Sequence, residues 1–127
     1  MPKKTITATN APKALGPYSQ AVVHNNIVYC SGQIGLDPAS GEFAGDSIAA
    51  QTRQVMLNLK AVLTQAGSSF DRVLKCSIYL ADMNDFSVVN QIYGEYFDSN
   101  PPARETVAVK TLPKSALVEI SCVAATG

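Results

Sequence analysis

Leu117-Val118-Glu119-Ile120-Ser121-Cys122-Val123-Ala124 reads as a β-strand, and its apolar residues fall on both of its faces. Side chains alternate across a strand, so Val118, Ile120, Cys122 and Ala124 share one face. Leu117 and Val123 share the other with Glu119 and Ser121. The rest of the chain supplies two helical segments, enough to cover a single face of a sheet. A sheet that is apolar on both sides, with helices on one, needs another chain over the second side. The strand therefore predicts an α+β domain that assembles as a closed homo-oligomer. Glu119 lies mid-strand on the face assigned to the subunit contact. A carboxylate there must be paired, hydrated or shifted in pKa; otherwise it sits at an edge and points into solvent.

Working outward, Tyr18–Val23 and Ile27–Ser31 are strand-like and are joined by His24-Asn25-Asn26, which has hairpin-turn chemistry. Gly32–Gly45, with Asp37-Pro38 and Ser40-Gly41, reads as an irregular loop. Ile48, Thr52, Val55, Met56, Leu59, Val62, Leu63 and Ala66 recur at helical spacing, with Asp46 or Ser47 as cap and Gly67 as terminator. Val73–Leu80 is a strand. A second helix spans about Asp85–Phe97, capped by Asn84, with Phe86, Val89, Tyr93, Tyr96 and Phe97 toward one side and Pro101 blocking its continuation. Glu105–Val109 and Leu117–Ala124 are the last strands, joined by a turn at Pro113-Lys114-Ser115. The order is β-β-α-β-α-β-β, with a further short strand at Thr5–Ala8, in one domain spanning residues 1–127.

Pro101-Pro102-Ala103-Arg104-Glu105-Thr106 sets an arginine at the mouth of a strand, on a backbone that two prolines restrict. A permanently charged, forked donor so placed suits a planar anion such as a carboxylate. An ordinary surface ion pair is the competing reading.

Charged residues make up only 16% of the 127, against a usual share of roughly 25%, which again suggests surface covered by other subunits. Net charge is zero and no run of Lys or Arg is long enough for counterion release, so the electrostatics argue against a nucleic-acid partner. The apolar stretches fall short of a membrane span, and Met1-Pro2-Lys3-Lys4-Thr5 leads into no signal-peptide core, so the expected compartment is the cytoplasm, with an organelle not excluded. Cys30, Cys76 and Cys122 are widely spaced within strand-like runs and His24 is the single histidine, so buried apolar cysteines and no metal site are expected.

Four segments carry a family likeness. They are Gly16-Pro17-Tyr18-Ser19-Gln20-Ala21; Ser31-Gly32-Gln33-Ile34; Asn90-x-x-Tyr93-x-x-Tyr96-Phe97; and Pro102-Ala103-Arg104 with Leu112-Pro113-Lys114 and Val118-Glu119-Ile120. In this order and spacing the chain resembles the Rid family of reactive intermediate deaminases, also known as L-PSP endoribonucleases or translation inhibitors. Within it the chain resembles the enamine/imine deaminase subgroup, whose mark is the arginine found here as Arg104. The resemblance implies a chorismate-mutase-like α+β fold with two helices on one sheet face, a homotrimer, and active sites in clefts between subunits. It implies 2-aminoacrylate, 2-aminocrotonate and their 2-imino tautomers as substrates, hydrolysed without a cofactor to 2-keto acids and ammonia. Carried over by position, Arg104 binds the substrate carboxylate, Glu119 manages the attacking water and Tyr18 shapes the cleft. Ser31 and Gly32 line it, and Asn90 supports it. Thr106 stands where many members have a cysteine, which leaves a hydroxyl but no thiol, and Glu105 is a less usual neighbour that would modulate charge at the arginine.

The chemistry is reasonable on its own terms. Imines hydrolyse readily in water, so orientation and water placement supply most of the barrier reduction required. The main alternative is a non-catalytic sensor or binding protein holding 2-keto acids or similar small carboxylates in the same arginine cleft. An endoribonuclease is the third reading, against which stand the neutral charge balance and the lack of a histidine pair or carboxylate cluster.

Overall fold

β6 (Val118–Ala125), the strand read first, lies between β3 (Ile27–Gln33) and β4 (Val73–Leu80) inside a six-stranded mixed sheet. β1 (Lys4–Ile6), β2 (Ala21–His24) and β5 (Ala103–Ala108) complete it in the order β1-β2-β3-β6-β4-β5. All pairings are antiparallel except β4 with the edge strand β5. Two helices, α1 (Ile48–Gln65) and α2 (Phe86–Gly94), complete an α+β architecture. This is a computed structural model, and it describes residues 2–127.

Local chemistry explains most boundaries. Asn25 and Asn26 both take positive φ (51° and 64°), which gives the two-residue turn that closes β2 onto β3. Ser47 caps α1 by accepting from Ala50 N at 3.1 Å, and Gly67, with φ of 82°, lies just past its end. The apolar stripe Val55, Met56, Leu59, Val62 and Leu63 is fully buried with Val28, Ile78, Leu80, Val118 and Ile120 of the sheet. Each such side chain contributes about 1.5–3 kcal/mol through burial. Cys30, Cys122 and Cys76 form one row across β3, β6 and β4, buried with free thiols on the helix-covered side.

Several expected elements shift. Tyr18 and Ser19 belong to a loop, and β2 starts at Ala21, because Ser31 N and Oγ take up the carbonyls of Gln20 (2.9 Å) and Ser19 (2.6 Å) there. The first strand covers Lys4–Ile6 rather than Thr5–Ala8. α2 ends at Gly94 instead of Phe97, since Tyr96 and Phe97 turn away to pack on Phe70, with ring centroids 5.1 and 5.6 Å from it. Asp85, not Asn84, occupies the N-cap position of α2, without a side-chain capping bond, and Asp82 caps the preceding 3-10 turn, accepting from Asn84 N at 2.9 Å. β5 begins two residues early, placing Arg104 inside the strand. His24 closes β2, half-buried, rather than belonging to the turn.

The sheet face away from the helices has no cover among the described residues. Tyr29 and Val107 are 51% and 44% exposed there, and Tyr79, Glu119, Ser121 and Val123 are half-buried. No helix of the described residues is long and apolar enough to cross a membrane.

Candidate active site

Arg104 lies on β5 opposite Cys76 of β4, so strand alternation directs it to the helix side of the sheet. At that edge α2 presents Phe86, Asn90 and Tyr93 on one flank, three to four residues apart. Arg104 Nη1 donates to Asn90 Oδ1 at 2.6 Å, and its Cζ lies 5.1 Å from the Tyr93 ring centroid and 5.6 Å from that of Phe86. Both distances fall within the range of a cation–π contact. The guanidinium is thus oriented from one side, and Arg104 also lines an open cavity of about 490 Å³ with Gly94, Pro101 and Pro102. Among the described residues no carboxylate pairs with it, so the ordinary ion pair is not what the fold builds.

Thr106 follows on the same face, beside Ile78, and its hydroxyl is buried without a partner. The Tyr93 hydroxyl is likewise buried against the Cys76 thiol without a hydrogen bond of acceptable geometry, and burial pushes its pKa up. Two unsatisfied donors beside one guanidinium mark a polar spot inside an otherwise apolar layer. Glu105 points to the opposite face, where it pairs with Lys75 at 3.1 Å and accepts from Ser77. These two contacts hold its carboxyl below the usual range, so the expected influence on Arg104 is replaced by a surface pairing.

Glu119 stands on that opposite face, across from Tyr79. Its side chain lies over Gly32 so closely that a Cβ at Gly32 would be 2.8 Å from Cδ and 3.0 Å from Cγ. Among the described residues it has no salt-bridge partner, and burial pushes its carboxyl above the usual range. Tyr18, Ser31 and Gly32 share a cavity of about 450 Å³ beside it. The Ser31 hydroxyl is committed to the Ser19 carbonyl, so Ser31 acts by holding the Tyr18 loop rather than as a free donor.

Two positioning residues escaped the sequence reading. Gln20, 4% exposed, ties down the strand-like loop before it. Its Oε1 accepts from Ala8 N at 2.5 Å, and its Nε2 donates to Ala8 O at 3.1 Å and Pro12 O at 2.7 Å. Asn58, fully buried on α1, donates to Ile34 O and Leu36 O at 3.1 and 3.0 Å and fixes the loop that follows Gly32. An amide on the apolar stripe of α1 was the available signal for Asn58; Gln20 gave none beyond its place in the Gly16–Ala21 motif.

The expected residues thus form two clusters. Arg104, Asn90 and Thr106 occupy the helix side of the sheet edge, and Glu119, Gly32, Ser31 and Tyr18 the uncovered side. One chain does not bring the guanidinium and the carboxylate onto one ligand. Among the described residues no group of three His, Cys, Asp or Glu side chains could hold a metal ion.

The Endoribonuclease L-PSP family model matches residues 8–126. A Yersinia pestis structure described as YyfA of the conserved Rid protein family superposes with a TM-score of 0.96. It is 48% identical over 98% of this chain and 100% of that one. The chain belongs to the Rid family. Among curated Rid relatives, the RutC family protein PH0854 of Pyrococcus horikoshii is 48% identical over 96% of this chain and 97% of its own length. The human 2-iminobutanoate/2-iminopropanoate deaminase is 45% identical over 98% of this chain and 91% of its own.

Proposed function

We propose that this Rid protein hydrolyses 2-iminobutanoate and 2-iminopropanoate, with their 2-aminocrotonate and 2-aminoacrylate tautomers, to 2-keto acids and ammonia. The site forms where the Arg104 cluster of one subunit meets the Glu119 cluster of the next in a homotrimer. The observation that carries this reading is the placement of an oriented, unpaired guanidinium and an unpaired, up-shifted carboxyl on opposite faces of one sheet. The likeness to the human deaminase supplies the substrate class.

Arg104 grips the substrate carboxylate through its free N–H groups, with Asn90 and the two rings fixing its plane. The neighbouring Glu119 accepts a proton from water as the oxygen adds to the C=N carbon, giving a tetrahedral amino alcohol. That proton passes to nitrogen, and as the C–N bond breaks the Glu119 carboxylate takes up the hydroxyl proton, so that ammonia leaves behind a ketone. A carboxyl raised by burial is a stronger base than an ordinary glutamate, which suits this transfer near neutral pH. The unpartnered Thr106 hydroxyl supplies a donor at the Arg104 end.

Subunit mixing tests both halves at once. Arg104→Ala and Glu119→Gln proteins are each assayed for 2-iminobutanoate loss behind a threonine dehydratase, then unfolded together and reassembled. Each alone is expected to be inactive, and an equimolar random mixture to recover about a quarter of native activity, because one interface in four pairs two intact clusters. No recovery refutes the shared site, and full activity in either variant refutes its role. A protein that binds 2-ketobutyrate without turnover is instead the sensor.

A further inference from the structure

Resting on the deaminase reading, we propose that the cavity beside Gly32 recognises a second anionic group, through Lys13 and Lys114. The substrate class then extends to 2-imino acids that carry a carboxylate on the side chain.

The cavity holds about 450 Å³, within the roughly 300–1,000 Å³ of sites for larger ligands. Gly32, over which the Glu119 side chain lies, is part of its lining. Leu36, Pro113 and two lysines, Lys13 and Lys114, also line it. Neither lysine pairs with a carboxylate among the described residues. Glu119 does not supply a partner either, since its pKa is moved by burial and not by a nearby cation.

The backbone gives the second observation. Lys114 adopts φ of 55° and ψ of 26°, and Ser115 follows at φ of 57°. Two successive left-handed residues without glycine are costly, and such conformations persist only when the surroundings over-determine them. Here Ser115 N to Leu112 O and Ala116 N to Pro113 O, both at 3.0 Å, lock the turn, and buried Ala116 anchors it to β6. The strained turn fixes the backbone of Lys114 in the cavity lining. Lys13 comes from the segment that Gln20 clamps through the carbonyl of Pro12. Both lysines therefore line the cavity from fixed backbone. Two unpaired cations in the lining that holds Gly32 suit a second carboxylate, carried on the side chain of the imino acid.

The test compares 2-iminoglutarate, generated from glutamate by an amino-acid oxidase, with 2-iminobutanoate, in native protein and in a Lys13→Gln/Lys114→Asn variant. Asparagine tolerates the left-handed turn, so the fold is retained. The ratio of kcat/KM for the dicarboxylate to that for 2-iminobutanoate is expected to fall at least about tenfold, as for loss of a charged hydrogen bond. Calorimetric binding of 2-ketoglutarate should weaken by a similar factor relative to 2-ketobutyrate. This arm decides the inference even if the native protein turns over neither imine, a result that would refute the deaminase reading instead. An unchanged ratio and unchanged 2-ketoglutarate affinity overturn the proposal.

Discussion

Gly32→Ala isolates the role of Glu119 without touching a charged residue. The new methyl would stand 2.8 Å from Glu119 Cδ, where ordinary contact begins near 3.4 Å, and its nearest obstacle is the end of a flexible side chain rather than backbone. Gly32 is not among the residues with positive φ, so alanine brings no torsional strain. The relief available is a swing of the carboxylate by roughly 1 Å, and a displacement of that size at a reacting group costs on the order of 100-fold in rate. Stability should fall by no more than about 1 kcal/mol, because the side chain moves from a half-buried to a more solvated position. We expect kcat for 2-iminobutanoate to drop about 100-fold, with the urea midpoint nearly unchanged. The decisive assay is a double-mutant cycle with Glu119→Ala. If Gly32 acts only by seating that carboxylate, the double variant is no slower than Glu119→Ala alone, and the coupling energy equals the whole effect of Gly32→Ala. Additive losses, or unfolding of Gly32→Ala, would refute the reasoning.

Three further outcomes are expected. Arg104→Lys should lower kcat/KM by roughly 30-fold to several thousand-fold (about 2–5 kcal/mol), since an ammonium supplies neither the planar fork nor the stacking on Tyr93 and Phe86; steady-state kinetics read this directly. Glu119→Gln should abolish turnover yet raise the melting temperature at pH 7. The native carboxyl is shifted up, so its favourable contribution is complete only below about pH 4.5 and is lost as pH rises through the native value; the difference between variant and native should therefore vanish in acid melts. Gln20→Ala should cost about 2–4 kcal/mol in urea denaturation, because buried main-chain groups of Ala8 and Pro12 lose their partner, and a stability change below about 0.5 kcal/mol would remove Gln20 from the clamp.

Much of the fold was legible because periodicity records burial. The stripe from Val55 to Leu63 specified α1 and its core-facing side, and the Asn25-Asn26 pair specified the hairpin. The two-sided character of Leu117–Ala124 announced a sheet with one face that its own helices do not cover. Boundaries failed where a tertiary contact outcompeted a local preference. Phe70 drew Tyr96 and Phe97 out of the helix their spacing suggested, and Ser31 took the carbonyls that would have extended β2 through Ser19. The strong direct neighbour also misled. Glu105 adjoins Arg104 in sequence, but strand alternation sends the two side chains to opposite faces, so Glu105 meets Lys75 and Ser77.

What the sequence determined by itself was the inventory and its local direction: an arginine on a restrained backbone, a glutamate in mid-strand, a glycine in a loop, and an α+β order of elements. Those follow from rules that act over a few residues, namely side-chain periodicity, capping and fixed backbone angles. Only the tertiary structure decided which groups meet. It set Arg104 against Asn90 and Tyr93, laid Glu119 over Gly32, spent the Ser31 hydroxyl on a loop carbonyl, and divided the candidate residues between two sides of one sheet. Strand register and the packing of α2 on the sheet edge fix these contacts. Both depend on pairings between residues far apart in the chain, for which a single sequence carries no local signal.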